Sequence, residues 1–155
     1  MFCLDRICFF DMEIKEMSFF SFKRGLWRQG LIKDMVSELE PVQVLMGIYL
    51  LSSPSSNMVC IYELNLSRLA KDLNVSPNAA REALDALIGA GFVEYDEEEC
   101  FVWVREAFRV NVNFSNKNQV KGIFDLLDSL ESTQGAPFVN EARELVSAEI
   151  SLHEE

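Results

Sequence analysis

The chain has 155 residues, of which 49% are hydrophobic and 11% aromatic, and a formal net charge of -11 at pH 7. This length and apolar content fit one folded domain with a real core, which excludes wholesale disorder. The longest apolar run, residues 42–51, is too short for a bilayer span of about 20 residues, so no membrane partner is expected.

The sequence lacks the residue types and motifs on which other functional classes depend. The four cysteines, at positions 3, 8, 60 and 100, form no CxxC pair, and His153 is the only histidine. A structural zinc site needs four closely spaced N or S ligands, so buried thiols in a reducing compartment are expected instead. The sequence also lacks a GxSxG motif and a phosphate loop, so we expect neither an enzyme nor a cofactor. The N-terminus is a poor signal peptide, because acids interrupt its apolar part, and a cytoplasmic location is expected.

Residues 1–24 are an ambiguous leader, either disordered in part or a strand added to a sheet, and Met17 offers an alternative start. Residues 26–39 predict one or two short helices. Residues 41–51 predict a helix that starts at Pro41 and is apolar on nearly every face. Such a helix must be covered on both sides, by the first segment or by the C-terminal part of the chain.

The middle of the chain carries the most specific pattern. After a serine-rich loop, residues 59–62 predict a strand, and Asn65 is positioned to cap a helix over residues 66–73. Ser76 and Pro77 predict the start of a second helix, which Gly91 ends. The expected inner face of that helix contains the following apolar residues: Ala80, Ala83, Leu84, Leu87 and Ile88.

A hairpin is predicted next, from residues 92–95 and 100–104 around an acidic tip. Residues 105–113 are expected to be extended or irregular, and two further helices are predicted over residues 117–130 and 137–150. The predicted fold is therefore mainly α with a small β-hairpin, a winged helix-turn-helix over residues 25–105 with a C-terminal helical extension, residues 106–155, packed on it.

In a helix-turn-helix the second helix enters the major groove of DNA. Its outer face here carries Asn78 and Arg81, which suit adenine and guanine, but also Glu82 and Asp85. From this helix pair the expected DNA contacts are Ser76, Asn78, Arg81, Arg68 and Lys71. The acids leave three interpretations open, namely base-specific DNA binding, an ordinary solvated face, or a protein partner with a basic surface.

Charge is unevenly distributed along the chain. Residues 34–104 hold twelve acids and three bases, whereas residues 105–121 hold one acid and four bases. Phosphate binding depends on Lys and Arg, so contacts from the flanks are expected at Lys23, Arg24, Arg28, Arg105, Arg109, Lys117 and Lys121. Aromatic residues such as Phe108 and Phe114 lie among them, which suits single-stranded nucleic acid if they stack on bases. The alternative is that these aromatics belong to the core.

Several segments together resemble the N-terminal winged-helix domain of phage and prophage replisome-organiser or replication-initiation proteins, related to the DnaD-like proteins. They are the run VLMGIYLLSSPSSN, the runs at residues 66–70 and 83–95, Trp103-Val104, and NFSNKNQVKG at residues 113–122. The resemblance covers the chain from about residue 25 to its end. It implies binding to double- or single-stranded DNA in replication initiation or its regulation, with a replication or regulatory protein as a further partner.

The competing hypothesis is an acidic protein-interaction module, a partner of a transcription regulator or a mimic of DNA, that does not bind DNA itself. It assigns the interaction to the tip residues Glu97, Glu98 and Glu99. Copies of the chain could pair through the apolar first segment or the last helix, so a homo-oligomer is open under either hypothesis.

Overall fold

The computed structural model describes residues 30–105, 107–134 and 136–153, and the predicted leader, residues 1–24, lies outside them. In this part of the chain the protein is mainly helical with one small antiparallel sheet. This confirms the predicted class of a mainly α protein with a small β part. The helices are α1 Leu31–Glu38, α2 Pro41–Ser52, α3 Leu66–Asp72, α4 Pro77–Gly89, α5 Ala107–Asn111, α6 Lys117–Ser129 and α7 Val139–His153. The strands are β1 Ile61–Glu63, β2 Val93–Asp96 and β3 Phe101–Val104.

Helix α2 begins at Pro41 as predicted, with a capping box in which the Glu40 N–H donates to Gln43 Oε1 at 3.0 Å. It packs against α1 and α4, and Gly47 lets Met35 of α1 approach closely. Val42 and Leu45 of α2 are 45% and 50% exposed, so the described residues do not cover this face of the helix. The C-terminal helices do not cover this face because they pack on the sheet instead.

Local capping fixes the next two helices. The Asn65 side chain accepts from the Arg68 N–H at 2.9 Å, and Ser76 Oγ accepts from the Ala79 N–H at 3.1 Å. Helix α4 packs against α3 and α2, and all but one of its predicted inner residues are buried. The exception is Ile88, which is 37% exposed because it lies at the edge of the apolar stripe near the end of the helix.

The sheet has strand order β1-β3-β2 with both pairs antiparallel. Tyr62 lies opposite Val102 across β1 and β3, and Tyr95 lies opposite Val102 across β2 and β3. Strand β1 starts two residues later than predicted, because the Asn57 side chain instead bonds the backbone of Val59 and Ile61. The predicted hairpin forms as β2 and β3, and β1 adds a third strand on the other side of β3.

Successive residues of β3 enter two different cores, because side chains alternate between the faces of a strand. Val102 and Val104 join the core formed with α1, α2, α3 and α4. Phe101 and Trp103 join a second core formed with α5, α6 and α7. The sheet is thus covered by helices on both faces, which explains why all four residues of β3 are buried.

The C-terminal part departs from prediction in one place. Residues 107–111 form the short helix α5, where an extended or irregular exit was expected. Ala107 and Phe108 are buried, so docking of these side chains determines the helix where the local pattern is too short to indicate one. Helix α6 continues into a π-helical turn, Leu130–Gln134, and Arg143 of α7 bonds Asp128 and Glu131, each at 2.8 Å.

Within the described ranges, no helix has both the length and the apolar composition that crossing a bilayer requires.

Candidate nucleic-acid interface

The N-terminal turn of α4 presents polar groups without any acid. Ser76 Oγ caps the helix by accepting the Ala79 N–H, and its exposed O–H can still donate a hydrogen bond. Asn78 is exposed one residue after Pro77. A helix N-terminus carries partial positive charge, so this turn is the part of α4 best suited to approach a phosphate backbone or a base edge.

Arg81 is the only base in α4, and two carboxylates already bind it. Its Nε donates to Asp85 Oδ1 at 3.0 Å, and its Nη2 donates to Glu97 at the hairpin tip. The hydrogen bond that Arg81 donates to Glu97 is the main reason why the pKa of Arg81 is raised above its ordinary value. One guanidinium and two carboxylates give the group a net charge of -1, with all three side chains accessible to solvent.

The hairpin tip is ordered by Asp96. Its Oδ1 accepts the backbone N–H groups of Glu98 at 3.0 Å and Glu99 at 2.9 Å, and Cys100 adopts a left-handed backbone with φ 57°. Glu97, Glu98 and Glu99 are all exposed. Sequence reasoning treated the tip as a simple charged run and missed Asp96, although an Asp at the start of a turn is itself a signal for this arrangement.

On α3, the other helix of the pair, both predicted contacts are accessible. Arg68 lies 3.9 Å from Asp72 and its side chain is 72% exposed, so the pairing is loose. Lys71 is exposed in the last turn of the helix. The hydroxyl of Tyr49 donates to Asp72 at 2.6 Å, which ties α2 to the last turn of α3.

Two of the predicted flanking cations take part in internal contacts. Arg105 pairs with Glu94 of β2 and lies over the Trp103 ring, 5.2 Å from its centroid. Arg109 pairs with Glu149 of α7 at 3.0 Å and lies 5.8 Å from the Phe108 centroid. Both guanidinium groups therefore join neighbouring elements within the protein.

The aromatics beside these cations belong largely to the second core. Phe108 is buried and contacts the half-buried Phe114 edge-to-face, with their ring centroids 6.0 Å apart. Rings packed in this way cannot stack on bases, so the core interpretation holds for Phe108. Lys117 and Lys121 are exposed in the first half of α6.

The structure divides the predicted DNA contacts into two groups. Arg68, Lys71, Ser76, Asn78 and Arg81 belong to α3 and α4, on one side of the sheet. The second group, Arg109, Lys117 and Lys121, belongs to α5 and α6, whose apolar residues pack mainly on the other side. The apolar residues of the elements that carry the two groups therefore pack mainly on opposite faces of the sheet. The predicted contacts Lys23, Arg24 and Arg28 lie outside the described residues.

In the ranges that the structure covers, no three His, Cys, Asp or Glu side chains come together in a way that would hold a metal ion. A cavity of about 380 Å³ at the edge of β1 is lined by Ser55, Asn57, Glu63 and Asn65 together with Leu126 and Leu130. Two titratable side chains, Tyr62 and Glu63, belong to this lining, and the Tyr62 hydroxyl already donates to the Leu50 carbonyl at 2.7 Å.

Comparison with known proteins gives no relative: no family model matches the chain, and no significant match exists among curated proteins or solved structures.

Proposed function

We propose that the protein is a winged-helix DNA-binding protein of phage or prophage type that acts in replication initiation or its regulation. The observation that carries this proposal is the order and packing of five elements. Helices α3 and α4 pack together through a short turn, and α4 leads directly into the β2–β3 hairpin, which β1 completes as a sheet. This order and packing support the interpretation as a winged helix-turn-helix, in which the second helix is presented to DNA.

The N-terminal end of α4 supports the same function. Asn78 and Arg81 lie within the first five residues of the helix, where base-contacting side chains of recognition helices are found. Arg68 and Lys71 on α3 are accessible for phosphate contact, as the first helix of such a pair crosses the backbone. The replication role rests on the resemblance to replisome-organiser proteins in the segments around residues 44–57 and 113–122.

The test is a titration of labelled duplex and single-stranded DNA with the full chain at two salt concentrations. The duplex is first selected from a randomised pool, because the site is not known. Binding that weakens as salt rises is expected, since cations on the protein release counterions from the DNA. The absence of binding to both forms at low salt would overturn the proposal.

A second candidate function, an acidic module that binds a basic protein surface, is favoured by one observation. The only cation of α4 is already paired with Asp85 and Glu97, next to the exposed Glu98 and Glu99. Replacing Glu97, Glu98 and Glu99 by Lys separates the two candidates. A DNA-binding protein should gain affinity for duplex DNA, because three repelling charges become attracting ones, whereas an interaction module should lose its complex with a basic protein partner.

A further inference from the structure

The contact between Arg81 and Glu97 joins two elements that a DNA-binding winged helix uses separately. Arg81 lies on α4, and Glu97 lies 16 residues later at the tip of the hairpin. Asp85 approaches the same guanidinium from one turn further along α4. Because α4 contains no other base, this single group decides whether its outer face presents a positive charge.

The position of Glu97 is determined by the tip and not by Glu97 alone. Asp96 holds the backbone of Glu98 and Glu99, and the two strands that carry the tip are paired along four residues from Val93 to Asp96. Strand β3 is buried on both faces, so the tip has a firm base. The pairing of the two strands and the ordered tip therefore position the Glu97 carboxylate next to Arg81 of α4.

The chemistry of the guanidinium makes this contact competitive with DNA binding. Arginine recognises guanine through two parallel N–H groups, and it has five N–H groups in a fixed fork. Here Nε is bound to Asp85, and one N–H of Nη2 is bound to Glu97. Two carboxylates thus take the Nε and Nη2 atoms, and the group as a whole repels phosphates with its net charge of -1.

Building on the proposed DNA-binding function, we propose that Glu97 is an autoinhibitory latch on Arg81. In the free protein the hairpin tip occupies the guanidinium that would contact DNA, and DNA binds by displacing the carboxylate. Because the contact is exposed to water, the latch is weak, and a phosphate or a base edge can replace it. The latch would raise the concentration of DNA needed for binding. It would favour DNA sites that form a strong contact with the Arg81 side chain.

The chain supplies a matched control for the test. Glu97→Gln and Glu98→Gln each remove one negative charge from the same tip, but of these two glutamates it is Glu97 that is bonded to Arg81. The probe is a fluorescein-labelled duplex selected from a randomised pool by the wild-type chain. At low salt, Glu97→Gln should bind it roughly two- to fivefold more tightly than Glu98→Gln, the size expected of an exposed ion pair. The difference should shrink as salt rises.

The same comparison in an Arg81→Ala background shows whether the effect passes through Arg81. There, Glu97→Gln and Glu98→Gln should bind equally, because the latched group is gone. Thermal melts of all variants should agree within a few degrees, since the contact is at the surface.

Each outcome is distinct. If DNA binds and Glu97→Gln is equal to or weaker than Glu98→Gln, the latch is wrong and the DNA-binding function stands. If Glu97→Gln keeps its advantage in the Arg81→Ala background, the latch is also wrong, because the gain does not pass through Arg81. If none of the variants binds either DNA form, the DNA-binding function is overturned and the latch with it.

Discussion

At the scale of single residues, the end of α2 depends on Tyr62. The Leu50 carbonyl near the end of this helix has Pro54 four residues later, which has no N–H to donate. The Tyr62 hydroxyl donates to this carbonyl at 2.7 Å, and Ser56 Oγ donates to the Leu51 carbonyl at 3.1 Å. Burial raises the pKa of Tyr62 above its ordinary value, so the hydroxyl keeps its proton and remains a donor at all ordinary pH values.

Replacing Tyr62 by Phe should therefore lower the free energy of unfolding by about 1–3 kcal/mol, because a buried carbonyl loses its partner. Tyr49→Phe is the matched control, since the Tyr49 hydroxyl donates to Asp72 at an exposed site. Its cost should be smaller, because water replaces the lost bond. Urea denaturation measures both variants, and equal losses would contradict the role assigned to Tyr62.

The two described cysteines should differ in reactivity. Burial raises the pKa of the Cys60 thiol to about 11, whereas the Cys100 side chain is exposed. Only the thiolate reacts with iodoacetamide, so at pH 8 Cys100 should be alkylated much faster than Cys60. Peptide mapping by mass spectrometry measures each position separately, and equal rates would show that Cys60 is accessible.

The same shift predicts a pH dependence of stability. The folded state holds the Cys60 proton more tightly than the unfolded chain does, whose thiol has the ordinary value of 9.0. This contribution is fully present below pH 9 and is lost as the pH rises towards about 11. Cys60→Ser should flatten this part of the stability profile, which urea denaturation at pH 8 to 11 would record.

At the scale of elements, glycines in helices play two different roles. A Cβ on Gly47 would lie 2.5 Å from Met35 Sδ, and Met35 is itself fully buried, so α1 and α2 need this glycine to pack. A Cβ on Gly89, at the end of α4, would meet nothing within 4 Å.

We therefore expect opposite signs from the same substitution. Gly47→Ala should destabilise by about 1 kcal/mol, because displacing the buried Met35 outweighs the gain in helix propensity. Gly89→Ala should be neutral or stabilise by up to about 1 kcal/mol, because only the propensity term remains. Urea midpoints of the two variants give the comparison, and a stabilising Gly47→Ala would show that Met35 moves without cost.

The elements that the sequence predicted best are those fixed by local chemistry. Asn65 and Ser76 cap α3 and α4 as expected, and Gly91 has the predicted left-handed backbone with φ 78°. Helix α5 was missed, because its five residues depend on docking of Ala107 and Phe108 and not on their own periodicity. The partners of Arg81 were likewise beyond a sequence pattern, because Glu97 reaches it only after the hairpin folds back.

At the scale of the whole molecule, one sheet serves two cores. Its inner face packs on α1 to α4, and its outer face packs Phe101 and Trp103 against α5 to α7. The predicted boundary near residue 105 therefore falls between a sheet and the helices that cover it. Which face of the sheet each helix covers could not be predicted from the sequence, because it depends on how the strands pair after folding.

A chain cut after Arg105 should consequently fail to fold stably. The cut would expose Ile61, Phe101 and Trp103, which are now buried by the C-terminal helices. Loss of such apolar burial costs about 25 cal/mol for each Å² exposed, so low solubility and strong binding of a hydrophobic dye are expected. Removing only residues 154–155 is the control. A soluble, cooperatively unfolding fragment would show that residues 30–105 form an independent domain.

Burial of β3 on both faces also bears on how fast the protein can engage a ligand at α4. A hairpin anchored in this way cannot swing as a unit without breaking both cores, so Glu97 and Arg81 separate only by rotation of their side chains. Rotamer changes of exposed residues take picoseconds to nanoseconds, far less than the time between diffusional encounters. Stopped-flow association with DNA should then follow a single exponential whose rate rises in proportion to concentration and shows no plateau.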